Sequence, residues 1–341
     1  MTSHRGRGLK TLMGRDDSLR AVSRLVLFGS LFFGLSQAGS ASNEEIVAYG
    51  FWGSRGTGPG EFESPRDVAV APNGDVYVAD TGNGRVQYFA ADGSFKGMWE
   101  IAPTSDGEFG PPVSLAVASD GTVYVAAIYD YTKPTVQYFT PTGTLLGKWG
   151  SLGTAPGQFD SFGGMAVAPD GNLYVCDDLS GDDLNHRLQY FTPNGSFIGM
   201  WDFDRPEAGI YTAPSPADVV VAPDGTVCVL FTYERRVEHY TSSGSLLGSW
   251  SVLIPDGGFQ EPFGLALSPD GTFYVSEFRH DLVRRFSREG SLIATYDTSP
   301  AGTAYFGDMW GIEVGPDGTV YIAETVKSRI LFFRPSLLQN D

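Results

Sequence analysis

The sequence predicts an all-β chain, a six-bladed β-propeller of four-stranded antiparallel blades. Three observations predict it. Between Pro65 and Trp99, Val68, Val70, Val76, Val78, Val86, Tyr88 and Phe95 alternate with polar or small neighbours, the period-2 signature of strands. An Asn-Gly or Asp-Gly pair then recurs six times, with its glycine at Gly74, Gly121, Gly171, Gly225, Gly271 and Gly318, at intervals of 47, 50, 54, 46 and 47 residues. Finally, the sixth repeat runs out before its last strand, while Ala48-Tyr49-Gly50-Phe51-Trp52 near the start matches Phe95-Lys96-Gly97-Met98-Trp99 with Gly and Trp in register.

The first repeat sets the unit: strand a over Arg66–Ala71, b over Asp75–Asp80, c over Arg85–Ala90 and d over Ser94–Trp99. Asn73-Gly74 reads as a type I′ hairpin turn, with Asp92-Gly93 as a second turn and Thr81–Gly84 as a looser connection. Strand b recurs as TVYVAA, NLYVCD, TVCVLF, TFYVSE and TVYIAE, and strand c as TVQYF, RLQYF, RVEHY, LVRRF and RILFF. Strand d ends on Trp99, Trp149, Trp201, Trp250 and Tyr296, a slot that reads as packing between blades. The N-terminal strand supplies the missing strand d of blade 6, closing the ring and hiding a sheet edge.

Residues 1–42 stand apart. Six basic side chains from Arg5 to Arg24 precede the apolar run Leu25–Leu35, and small residues follow through Ala38 and Ala41. This order is that of a signal peptide, cut after Ala38 or Ala41, or kept as an anchor. The run is shorter than the roughly 20 residues a spanning helix needs. The expected division is therefore a signal at 1–42 and a propeller at 43–341, secreted or periplasmic, with no integral membrane span after cleavage.

Without residues 1–42 the chain keeps 17 Lys and Arg against 38 Asp and Glu, a formal charge of −21 in place of −17. Such a surface repels phosphate backbones, which argues against nucleic acid. Protein, peptide or glycan ligands are the expected partners of a monomeric propeller. Cys176 and Cys228 fall in the b strands of blades 3 and 4, two slots apart. Each points to the same side of its own blade, so the two do not meet and read as buried small hydrophobes. No zinc-ribbon, redox or haem cysteine motif occurs.

The repeat carries P-x-[DG]-[VI]-A-V, P-[DN]-G, V-Y-V-A-D, N-x-R-[VI]-Q-x-F and D-G. These residues resemble the NHL repeat family over about residues 46–335, in its bacterial secreted form. The resemblance implies the fold firmly and leaves the activity open, since the family spans RNA-binding modules, sensor domains, interaction platforms and an amidating lyase. It implies a structural role for Asp80, ordering the loop that follows it. The lyase holds zinc through His just before the D/S-[LVI]-A step of strand a. Here those slots hold Arg66, Val113, Gly163, Ala217, Phe263 and Trp310, so that activity is disfavoured. The E-G-P-x-W motif of the related metal-dependent lactonases is absent too.

Loop lengths vary only in the b–c and d–a connections, which share one face, and variable loops on a rigid scaffold are where binding resides. The candidates on that face are Arg66, Asp67, Tyr129, Asp218, Arg235, Glu277, Arg279, His280, Trp310 and Glu324. Asp67 and Asp218 share an a-strand slot in opposite blades, and Glu277 and Glu324 replace Asp80 at the end of strand b. In the long b–c loop of blade 3, Asp177, Asp178, Asp182 and Asp183 have the hard oxygens that Ca2+ takes. Glu313 replaces an Ala-like slot near the channel and joins them as a metal candidate. The expected function is a secreted binding or protein-interaction platform. The alternative is a divalent-metal hydrolase or lyase, lactonase-like or amidating-lyase-like, at the channel mouth. Ca2+ is the one cofactor the residues suggest.

Overall fold

A computed structural model describes residues 46–101, 110–129, 133–177, 186–203, 214–253, 261–278, 281–298 and 308–336. Among these, the strands form six four-stranded antiparallel sheets. Blade 1 runs Asp67–Val70, Val76–Asp80, Arg85–Phe89 and Phe95–Glu100, within a residue of expectation at each end. The N-terminal strand Ile46–Trp52 pairs antiparallel with Arg329–Pro335, Trp52 opposite Ile330, and completes blade 6. The chain is thus an all-β six-bladed propeller closed by its two ends.

Strand a of every blade lies innermost and touches strand a of both neighbours around the ring. At two junctions the contact is a backbone hydrogen bond: Gly311 N–H to Arg66 O at 2.9 Å, and Gly164 N–H to Ala217 O at 2.8 Å. Alternate side chains of a blade face opposite neighbours. Val68, Val78 and Phe89 pack on Tyr321, Ala323 and Ile330 of blade 6, whereas Ala69, Tyr77 and Ala79 pack on Leu115, Val123 and Val125 of blade 2. The same alternation puts Cys176 against blade 4 and Cys228 against blade 5, and both are buried and outside any disulfide. The closing aromatic of one blade sits on the c–d turn of the next. A Cβ on Gly143 would lie 2.6 Å from the Trp99 ring, so this turn has room only for glycine.

The a–b turns differ from expectation. Gly74 has φ +85°, but Asn73 is not among the residues with positive φ, so the turn is not type I′. Gly74 N–H instead donates to Ala71 O at 2.8 Å, closing a type I turn with the glycine as a left-handed bulge. Pro72 suits the second position of this turn but does not impose it, since Ser119 stands there in blade 2 and Gly121 N–H donates to Ala118 O in the same way. Asn73 serves through its side chain, accepting Asp75 N–H at 3.0 Å, and the Asp in the same slot does likewise in the other blades.

Candidate functional site

The b-strand carboxylates are built into the frame. Asp80 Oδ2 accepts Arg85 Nε–H at 2.7 Å and Gln87 Nε2–H at 3.0 Å, while Oδ1 accepts Glu63 N–H at 2.8 Å. Arg85 goes on to donate to the carbonyls of Thr57, Gly58 and Glu61. Asp80 therefore fixes the d–a loop before it, and its contact with the loop after it is to the Asn83 side chain, not to backbone amides. Blade 3 repeats this knot: Asp177 accepts from Arg187, Gln189 and Asp160 N–H. Both Asp177 oxygens are engaged, so it stands as a strut where a metal ligand was expected. Asp178, Asp182 and Asp183 lie outside the described residues.

Glu277 and Glu324 also lie away from the channel mouth. Each is buried, Glu277 in an ion pair with Arg284 and Glu324 in ion pairs with Lys327 and Arg329. Tyr129 ends strand b of blade 2 beneath the Lys133 ammonium, and Arg235 is an exposed loop residue at φ +54°. Neither lines the channel. Arg279 and His280 lie outside the described residues.

The channel itself is a cavity of about 320 Å³ that Arg66, Asp67, Asp218, Trp310 and Glu313 help to line, five of the residues the sequence singled out. At its mouth the Arg66 guanidinium lies 4.5 Å from the centre of the Trp310 ring. Phe263 and Phe278 of blade 5 stand edge-on to Trp310, at 4.4 and 5.0 Å between ring centres. Arg66 makes no ion pair among the described residues. The sequence marked Arg66 and Trp310 separately. That they meet follows from ring closure, which sets blade 6 beside blade 1, so the slots before the a-strand acids are neighbours. Phe263 occupies that same slot in blade 5, and that shared position is the signal that would have found it.

Below the mouth the carboxylates meet backbone instead of cations. Asp67 Oδ1 accepts its own Val68 N–H at 2.8 Å and Oδ2 accepts Leu115 N–H of blade 2 at 2.7 Å. Asp218 does the same to Val219 and to Leu265 of blade 5, at 2.8 and 2.7 Å. Each Asp thereby ties its blade to the next, while the carbonyl before it receives the blade behind. The preceding blade has glycine in this slot because a Cβ on Gly311 would come within 2.0 Å of Asp67 Oδ1, and one on Gly164 within 1.7 Å of Asp218 Oδ1. Glu313 Oε1 accepts only Val314 N–H, at 2.8 Å.

Protein surrounds these three groups, yet each keeps part of its surface open to the channel. Burial pushes the Asp67 carboxyl up to about 6 and that of Glu313 up to about 7. Burial drives Asp218 well above its usual range, and the charges of Asp67 and Glu313 add to the shift. Among the described residues no three His, Cys, Asp or Glu side chains come together as a metal set, so these carboxylates do not fit a Ca2+ site.

The fold and the channel define a six-bladed propeller. The NHL repeat model matches residues 62–89, which are the core of blade 1. No curated protein sequence matches the chain. Among solved structures it is similar to a streptogramin B lyase, with 16% identity and a TM-score of 0.57 over 84% of this chain and 98% of that one. Virginiamycin B lyase from Staphylococcus aureus is similar at 14% identity and a TM-score of 0.53, over 80% and 95% of the two chains. A gluconolactonase from Xanthomonas campestris is similar at 13% identity and a TM-score of 0.57, over 87% and 98%. At such identities the likeness concerns the fold alone.

Proposed function

We propose that this protein is an exported binding platform that takes a protein, peptide or glycan ligand on its d–a/b–c face, at the mouth of the channel. The observation that carries this reading is the rim: partly exposed Trp310, Phe263 and Phe278 beside a guanidinium with no ion pair among the described residues. Aromatic and Arg side chains at the edge of a cavity are what binding hot spots are made of. A second observation supports the choice of face. Among the described residues, the five non-glycine residues at positive φ, Ser64, Arg235, Asp281, Asp308 and Ser328, all sit in its loops. Backbone strain of this kind is retained where surrounding structure enforces it, and it gathers at functional sites.

The alternative, a metal-dependent hydrolase or lyase, draws on the three channel carboxylates and on the lyase and gluconolactonase among the similar folds. The backbone grip on Asp67 and Asp218 weighs against it, because ligands for a cation need free oxygens converging on one point. One experiment separates the two. Peptides panned from a displayed library on the purified protein are expected to lose at least tenfold affinity on Trp310→Ala and on Arg66→Ala, and to keep it on Leu146→Ala at the exposed outer strand of blade 2. Binders indifferent to both rim changes would sink the platform reading at this mouth. In the same preparation, a melting temperature that falls with EDTA and returns with Ca2+ would favour the metal enzyme.

A further inference from the structure

Five Trp residues close blades, and four of them share one defect. The indole N–H groups of Trp52, Trp99, Trp149 and Trp201 are buried with no hydrogen-bond partner. Trp250 differs, because its Nε1–H donates to His239 Nε2 at 2.7 Å. His239 fills the strand-c slot of Tyr88, Tyr138 and Tyr190, each of which only packs against the Trp of its own blade.

The hydrogen bond fixes the imidazole tautomer. With Nε2 accepting, the neutral ring carries its proton on Nδ1, which lies 3.3 Å from Cys228 Sγ. That tautomer has no lone pair for the thiol proton. Burial also pushes the Cys228 thiol up to about 12, so the pair is not a nucleophile and its base. The ring instead works as an acceptor for Trp250.

Trp250 in turn joins blade 4 to blade 5. Its ring centre lies 5.7 Å from that of Phe273 and 4.9 Å from that of Phe286, and a Cβ on Gly290 of the blade 5 turn would strike it at 2.3 Å. The groups about the imidazole are Cys228 and Trp250 from its own blade and Phe273 from blade 5, edge-on at 5.8 Å. The charge acting there is the blade 5 guanidinium of Arg288, whose ion-pair partner is Asp224 of blade 4. Asp224 stays ionised in mild acid, as it is pulled down to about 2 by the Thr226 N–H and hydroxyl and by Arg288.

We propose that His239 makes the seam between blades 4 and 5 acid-labile: a proton on Nε2 turns the acceptor of Trp250 into a second donor and unseats the indole from the Gly290 turn. Desolvation, with Arg288 behind it, holds the imidazole below its ordinary range and keeps the ring neutral at pH 7. The seam is intact above the unfolded histidine value of about 6.5 and gives way as pH falls below it.

The test is tryptophan fluorescence of the whole protein from pH 8 to pH 4. The wild type is expected to show a reversible red shift with its midpoint below about 6.5. His239→Gln offers an amide oxygen to Trp250 and does not titrate, so the shift is expected to vanish there. A shift that persists in His239→Gln, or no shift in the wild type, overturns the proposal. Should that variant fail to fold, the Trp250 indole N–H signal of the wild type, assigned with Trp250→Phe, decides. Loss of its exchange protection in acid upholds the seam switch, and protection retained at pH 4.5 removes it.

Discussion

Asp80 and Asp67 belong to adjacent strands of blade 1, where Asp67 pairs in register with Ala79. Both are carboxylates inside the protein, and they are treated in opposite ways. Asp80 is met by a guanidinium, two side-chain amides and a backbone N–H, and Asp177 by a guanidinium, one side-chain amide and a backbone N–H. Asp67, Asp218 and Glu313 are met by backbone N–H groups and face the open channel. The difference teaches which acids are committed. A buried charge with its own cation is part of the frame, because removing either partner strands the other. A carboxylate without a cation has to take up a proton or wait for a ligand, so its state answers to the solution. The frame acids stand where strands b meet the loops, and the responsive ones line the channel.

The comparison breaks hardest at Arg187, which is only 2% exposed. Arg187→Ala leaves Asp177 buried without its cation and frees the carbonyl of Thr154, while that of Gln158 keeps only Gln189. The expected loss is about 3–5 kcal/mol of unfolding free energy by urea denaturation at pH 7. A loss below about 1 kcal/mol would mean that Asp177 is no more committed than Asp67.

Next in size is a pH effect from the channel. Asp67 at about 6 and Glu313 at about 7 both lie above their ordinary carboxyl values. The folded protein therefore binds protons more tightly than the unfolded chain. Their contribution is complete below about pH 4 and drains away as pH rises through about 6 and then 7. By linkage each group accounts for at most about 3 kcal/mol, reduced where channel water reaches it. Asp67→Asn with Glu313→Gln is expected to gain on the wild type by about 3 kcal/mol between pH 4.5 and pH 8 in urea titrations. A difference that does not change with pH would mean that neither carboxyl is raised in the folded protein; Asp177, which burial also pushes up to about 6, is present in both proteins. His239 runs the other way, losing stability in acid, and it is present in both proteins, so the difference between them isolates the channel.

The ring was legible because its signals are local and repeated. Alternation, turn glycines and the matched Gly and Trp of the N-terminal strand each fix a neighbour without any long-range knowledge. The a–b turn was misread because an Asn-Gly or Asp-Gly pair does not by itself set the loop length, and here only its glycine takes positive φ. The channel acids were legible too, since Asp67, Asp218 and Glu313 break slots otherwise held by Ser, Gly, Ala and Val. What the sequence hid was which acids have cations. In blade 5 the Arg moves from the slot of Arg85 to that of Gln87, where Arg284 meets Glu277. In blade 4 the acid itself moves to strand c, where Glu238 pairs with Arg236 at 2.7 Å while Phe231 fills its old position. A pair that migrates across two strands keeps its chemistry and loses its motif, so Glu277 looked unsatisfied when it was not.

The smallest effect sharpens the inner half of the comparison. If Asp218 is held by backbone alone, its place depends on the empty space that Gly164 leaves beside Oδ1. Gly164→Ala puts a methyl there and is expected to cost about 1–3 kcal/mol, the usual range for overpacking a close contact. The cost is expected to fall by more than half in the double variant with Asp218→Gly, the residue that blades 3, 5 and 6 carry in this slot. Such coupling is what a double-mutant cycle reads for two groups in contact. Additive costs would mean that strand a gives way locally around the methyl, and that the carboxylate is held by more than its two backbone amides.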